Sequence, residues 1–168
     1  MTFPDLWGQQ FTFGRPAPGL PFTSFEGCTA TATLKDGRIV VAWFENQSGS
    51  YVVRAQVLNA DGTLAGGAFD VEHVQRGSNP SPVTGNLEVA ALATGGFVIV
   101  HESRPDNVDI VASTIYNADV SLAATKEVTR EISAYSTKFG PEVATFDDGS
   151  YLVTLHRSDA AGGLASVY

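Results

Sequence analysis

Trp43, Glu45 and Asn46, then His101, Glu102 and Arg104, then Arg157 and Asp159, are the residues of this chain whose types and spacing could do chemistry together. Each group follows an apolar run, and Trp43 and His101 stand at the same place in their runs. An aromatic ring stacks on the C–H face of a sugar, while carboxylates and guanidiniums grip its hydroxyls through paired hydrogen bonds. The pattern therefore reads as carbohydrate recognition by loops gathered on one face. The plainer alternative makes Trp43 core and the charges a solvated rim, since tryptophan is highly buried on average.

A second set, Asn59 and Asp61 with Asn117 and Asp119, could offer oxygen to calcium. A hard cation wants about six to eight oxygens, and each of these segments offers only two side chains. Asn and Asp are also preferred turn residues, because their side chains satisfy nearby backbone donors. The turn reading is the stronger of the two. No cofactor is expected, and no specific motif supports calcium.

Catalytic patterns are missing. The chain has three histidines, His73, His101 and His156. His101 and His156 are one residue out of register, which sends strand side chains to opposite faces and argues against a shared zinc site. There is no HExxH helix, paired-cysteine site, phosphate loop or Gly-x-Ser-x-Gly elbow. A sialidase-like glycosidase would add Ser-x-Asp-x-Gly-x-x-Trp turns and a set of catalytic carboxylates and arginines. Lys35-Asp36-Gly37 lacks that frame, so an enzyme is the weakest reading.

Composition narrows the partners. Ten Lys and Arg against 18 Asp and Glu give a formal net charge of −8. Such a chain is repelled by phosphate backbones and anionic lipid, so neither nucleic acid nor membrane insertion is expected. The single cysteine, Cys28, allows no internal disulfide and reads as a structural thiol. The first fourteen residues have no basic start and no apolar run, unlike a secretory signal. That points to a cytoplasmic protein, an excised fragment, or export by another route.

The elements that must carry these residues repeat along the chain. Leu34-Lys35-Asp36-Gly37-Arg38-Ile39-Val40-Val41 returns near Leu92-Ala93-Thr94-Gly95-Gly96-Phe97 and again near Phe146-Asp147-Asp148-Gly149-Ser150-Tyr151. Val57-Leu58-Asn59-Ala60-Asp61-Gly62 returns as Ile115-Tyr116-Asn117-Ala118-Asp119-Val120. Asp-Gly between β-rich runs is a hairpin signal, because glycine takes positive φ without a clash. Dense β-branched and aromatic runs after the turn fit strands covered on both faces. Four antiparallel strands per unit predict an all-β, propeller-like fold of about three blades in one repeat domain. The units span 28–74, 86–132 and an incomplete 140–168, preceded by a strand and linker over 1–27.

The third unit lacks a fourth strand, whereas Gly8-Gln9-Gln10-Phe11-Thr12-Phe13 resembles the fourth strand Gly66-Gly67-Ala68-Phe69-Asp70-Val71. That orphan either completes the last blade or ends a preceding unit of a longer chain. Three blades are few for a closed ring. Homo-oligomers or neighbouring repeats would supply the rest.

These phrases resemble a family of bacterial tandem repeats in large exported, calcium-associated, hemolysin-like adhesins. Those repeats run through a Leu-x-Asp-Gly-Gly turn, a Val-rich strand ending Trp-Glu, an Ile-x-x-Gln-x-Tyr-x-x-Asp-Gly strand and turn, and a Gly-x-x-Phe-x-Val strand. Asp36-Gly37, Trp43, Gln56, Asp61-Gly62, Gly67 and Phe69 match, as do Gly95-Gly96, Glu102, Tyr116, Asn117 and Asp119. His101 and Leu155 depart from the tryptophan, and Val120 from the glycine. The resemblance spans about Gly8 to Tyr168. It implies a propeller-like module, secreted by a route with a C-terminal signal or held at the cell surface, that binds or adheres and does not catalyse. The glycine- and aspartate-rich calcium nonapeptide is absent. A purely structural assembly module is the alternative.

Overall fold

The computed structural model describes residues 28–47, 50–74, 86–103, 108–131, 138–158 and 164–167. They form eleven strands and no helix: β1 Thr29–Thr33, β2 Ile39–Gln47, β3 Ser50–Leu58, β4 Phe69–Val74, β5 Leu87–Ala91, β6 Phe97–Ser103, β7 Asp109–Tyr116, β8 Leu122–Glu131, β9 Lys138–Thr145, β10 Tyr151–Ser158 and β11 Leu164–Val167. They make three antiparallel sheets in chain order, β1-β2-β3-β4, β5-β6-β7-β8 and β9-β10-β11. The third sheet has no fourth strand among the described residues. The expected partner over 8–13 lies outside those residues.

One turn geometry is reused five times. Leu34 N–H donates to Arg38 O at 2.7 Å and Gly37 N–H donates back to Leu34 O at 2.9 Å. Leu92–Gly96, Phe146–Ser150, Asn59–Thr63 and Asn117–Ser121 repeat both bonds. The fourth residue needs positive φ, supplied by Gly37, Gly62, Gly95 and Gly149. Val120 takes φ 68° in the fifth turn, a strained conformation for a β-branched residue. Its side chain packs against the core, which offsets part of that cost.

The pleat sends alternate side chains to opposite faces, and the sheets stack on those faces. Val40, Ala42 and Phe44 of β2 face Phe97 and Ile99 of β6, with Leu34, Val53, Val57, Val89 and Tyr116 filling the gap. This is the first seam. The other face of the second sheet, carrying Val98, Val100 and Val111, meets Val153 and Leu155 in a second seam. β6 is consequently buried at every position from Phe97 to Ser103. The outer face of the first sheet buries Val41, Trp43 and Leu58 in a third, smaller cluster. β5 neighbours both β1 and β9 in space without ladder pairing, so the three first strands lie together.

The strands run further than their apolar patterns. Glu45 and Asn46 were expected in a loop, but they continue β2, opposite Val52 and Tyr51. Glu102 likewise sits in β6 opposite Val111, and Arg157 in β10 opposite Leu164. Ladder hydrogen bonding carries the hairpin past the last apolar residue.

Gly96 allows the tightest approach. A Cβ there would lie 2.1 Å from the Tyr116 carbonyl oxygen, whereas one on Gly67 would meet nothing within 4 Å. Gly96→Ala should lower the unfolding free energy by about 3 kcal/mol in urea titration, at the upper end of overpacking costs. Gly67→Ala should change it by less than about 0.5 kcal/mol, as an exposed substitution does.

Candidate functional site

The residues singled out by type are dispersed over different faces. On the outer face of the first sheet, Trp43 lies across from Arg54 in the β2–β3 register. The Trp43 indole N–H donates to Glu45 Oε2 at 3.3 Å, and Arg54 Nη1 donates to the same oxygen at 3.1 Å. Arg54 Nε also sits 2.9 Å from Asp70 Oδ1, close enough for an ion pair although its N–H is not aimed along a hydrogen bond. Trp43 is only 4% exposed, so its ring presents no open face for a sugar. Arg54 and Asp70 complete this network and were not singled out from sequence. Cross-strand pairing places Arg54 beside Trp43, and that register is invisible until the hairpin is set.

His101 holds the same register as Trp43, opposite the first strand of its own sheet. Stacking separates the two. His101 points into the first seam, fully buried, and meets Glu72 of β4 with Nε2 3.0 Å from Oε2. Nε2 is not aligned for a hydrogen bond to that oxygen. Nδ1 lies 3.4 Å from the Glu102 carbonyl oxygen, and Ser103 Oγ donates to Glu72 Oε1 at 3.4 Å. Burial pushes the Glu72 carboxyl up, but the His101 and Ser103 contacts outweigh it and leave the group below the ordinary range. Ser103 bonds the carboxylate and not the imidazole, so the trio lacks the serine–histidine hydrogen bond of a nucleophilic triad.

The Glu102 side chain lies on the opposite face of β6 from His101 and accepts from Asn86 Nδ2 at 3.0 Å. Its charge, added to burial, raises the Cys28 thiol above its usual value, as befits a structural cysteine. Backbone pairing alone places Asn46 and Arg157, and Arg104 and Asp159 fall outside the described residues.

The cation candidates act as turn locks. Asp61 Oδ1 accepts from the Thr63 N–H at 2.9 Å and from its hydroxyl at 2.6 Å, and Asn59 Nδ2 donates to Thr63 Oγ1 at 3.0 Å. Asp119, Ser121 and Asn117 repeat this at 3.0, 2.5 and 3.0 Å. These bonds pull the Asp61 and Asp119 carboxyls below their ordinary values, the hydroxyl of the turn contributing most. No group of three or more His, Cys, Asp or Glu able to hold a metal occurs among the described residues.

Along the first strands, Asn86, Glu88 and Glu142 border an open cleft of about 300 Å³. Burial, and then the nearby Glu142 charge, raise the Glu88 carboxyl. Scans against protein-family models, curated proteins and solved structures return no match to this chain.

Glu72 gives the site a measurable pH signature. Its folded pKa is depressed, so its stabilisation is present above the unfolded carboxylate range and is lost as pH falls through the folded value. Urea melts from about pH 6 down to about pH 3 should show a steeper loss of stability in the wild type than in Glu72→Gln. Equal slopes would remove this pair from the acid response.

Proposed function

We propose that this chain is a non-catalytic, propeller-like repeat module whose work is assembly, presenting one sheet face for a second copy of itself. Phe146 is the observation that carries this reading. It occupies the place that Leu34 holds in the first sheet and Leu92 in the second, at the hairpin turn that opens each β2-type strand. Leu34 is 3% and Leu92 6% exposed, each covered by the next sheet, whereas Phe146 is 50% exposed. Ala144 beside it is exposed, and Leu152 is only half-buried. Among the described residues, the third sheet thus keeps open the type of face that the other two bury.

The partner follows from the opposite end of the stack. The outer face of the first sheet already buries Val41, Trp43 and Leu58. A head-to-tail contact would need that face open. With one such open face among the described residues, an isologous pair is favoured, in which the same patch meets itself about a two-fold axis and growth stops at two chains. The neighbouring first strands β1, β5 and β9 support the propeller-like arrangement. The resemblance to exported bacterial repeats supports a place at the cell surface, where such a pair serves as an adhesion scaffold.

Carbohydrate recognition through Trp43 and His101 loses support, because both side chains are buried on different faces. Light scattering at high protein concentration should give twice the 17.7 kDa chain mass. Phe146→Asp should return it to a single chain with an unchanged far-ultraviolet β spectrum. A single-chain mass for the wild type overturns the proposal, and so does a dimer that ignores the Asp substitution.

A further inference from the structure

Edge strand β4 rests on the first seam through an interrupted ladder. Among the described residues it pairs with β3 alone, and the register slips beside Glu72, between Val53 and Arg54. That slip leaves Val71 without a ladder partner. Phe69 and Val71 pack on the first-seam core, Asp70 meets Arg54 on the outer face, and Glu72 reaches across to His101 of the second sheet. Of these contacts, the one through Glu72 depends on a proton.

A neutral imidazole has one N–H and can satisfy one acceptor through it. Both ring nitrogens of His101 face oxygens that accept: Nδ1 lies 3.4 Å from the Glu102 carbonyl oxygen, and Nε2 lies 3.0 Å from Glu72 Oε2. With a single ring proton on Nδ1, a nitrogen lone pair stands against a carboxylate at a fully buried ring. With two, an ion pair replaces that repulsion. Against the upward push of burial, the His101 and Ser103 contacts hold the Glu72 carboxyl below its ordinary range, so the second proton belongs on the ring. The surroundings offer no substitute. Leu87 and Ala112 flank His101 in its own sheet, and Phe44 and Val53 share the row of Glu72. The Glu102 side chain lies on the opposite face of β6, Arg54 and Asp70 lie on the outer face of the first sheet, and Glu127, opposite Ala112, is exposed. Cys28 packs on the same seam with its thiol raised by burial and by the Glu102 charge, and so stays uncharged.

We infer that the His101–Glu72 contact is a proton-dependent clasp on β4: the closed first seam holds a proton on the imidazole, and β4 lifts from the second sheet as that proton is lost on the alkaline side of neutrality. A histidine that gains a carboxylate partner on closing contributes its full stabilisation below the free-imidazole value of about 6.5, and loses it as pH rises. This limb is opposite in sign to the acid loss set by Glu72, so β4 is held most firmly between the two. Phe146 has no part in the clasp, which stands or falls independently of self-assembly.

Amide hydrogen exchange of the whole chain from about pH 6 to about pH 9, corrected for the intrinsic pH dependence of exchange, tests it. Protection over Phe69–Val74 should fall by up to about tenfold per pH unit, the slope of an opening that releases one proton, while Val98–Val100 of β6 keep theirs. Long-range ¹H–¹⁵N spectra at about pH 7 should show both His101 ring nitrogens protonated. His101→Leu with Glu72→Leu gives the seam the residue type that Leu155 supplies in the third sheet, and should make β4 protection independent of pH. Glu72→Gln changes a partly exposed side chain and should flatten the response in the same way, so it keeps the test decisive if the double variant does not fold. The inference is overturned by a bare His101 ring nitrogen at that pH, by wild-type β4 protection that ignores pH, or by an equal fall in Glu72→Gln.

Discussion

The second sheet of this protein is apolar on both faces, and the stack exists because those faces must be covered. A β-sheet with one wet face can stand at a surface, but one with Val98 and Val100 on one side and Phe97 and Ile99 on the other cannot. The second sheet solves this by lying between its neighbours, which is why β6 is buried throughout. The turns serve the same constraint. Cross-sheet bonds from Lys35 to the Ala93 carbonyl at 3.5 Å and from Arg38 to the Ala118 carbonyl at 2.5 Å hold the hairpin ends of adjacent sheets together. These exposed contacts are worth little individually beside the buried area between the first two sheets.

Two polar side chains of this stack, His101 and Arg54, are met by carboxylates, whereas the buried Thr114 hydroxyl has no hydrogen-bond partner. His101 replaces an apolar residue in the first seam and is met there by Glu72, which is in turn held by Ser103. In the corresponding place of the second seam stands Leu155, which needs no partner. Arg54, between Glu45 and Asp70, does the same on the outer face. The two seams therefore diverge chemically while sharing one backbone plan. Duplicated β-units tolerate this, because pleat and turn preserve the geometry while single side chains at a seam are exchanged.

Much of the architecture was legible in the residue order. The Leu-x-x-Gly phrases, with Phe146 for leucine in the third, predicted the hairpins at Gly37, Gly95 and Gly149, and the Asn-x-Asp phrases predicted the turns at Gly62 and Val120. Two-sided apolar runs predicted sheets buried on both faces. The candidate site read poorly. Trp43, Glu45, His101 and Glu102 form a similar motif in sequence, but the pleat puts neighbours on opposite faces and the stack assigns each face a different environment. Arg54 and Glu72, the actual partners of these residues, lie on other strands and carry no local signal.

Strand, turn and repeat were thus decided by the chain itself, since they depend on contacts a few residues apart: alternation, glycine at positive φ, and an aspartate capping the amide two residues on. Which face each sheet buries, which charges meet across a seam, and where a face such as that of Phe146 is left bare were decided only by stacking. Those contacts join residues dozens of positions apart, and a single-residue change in register would exchange every one of them.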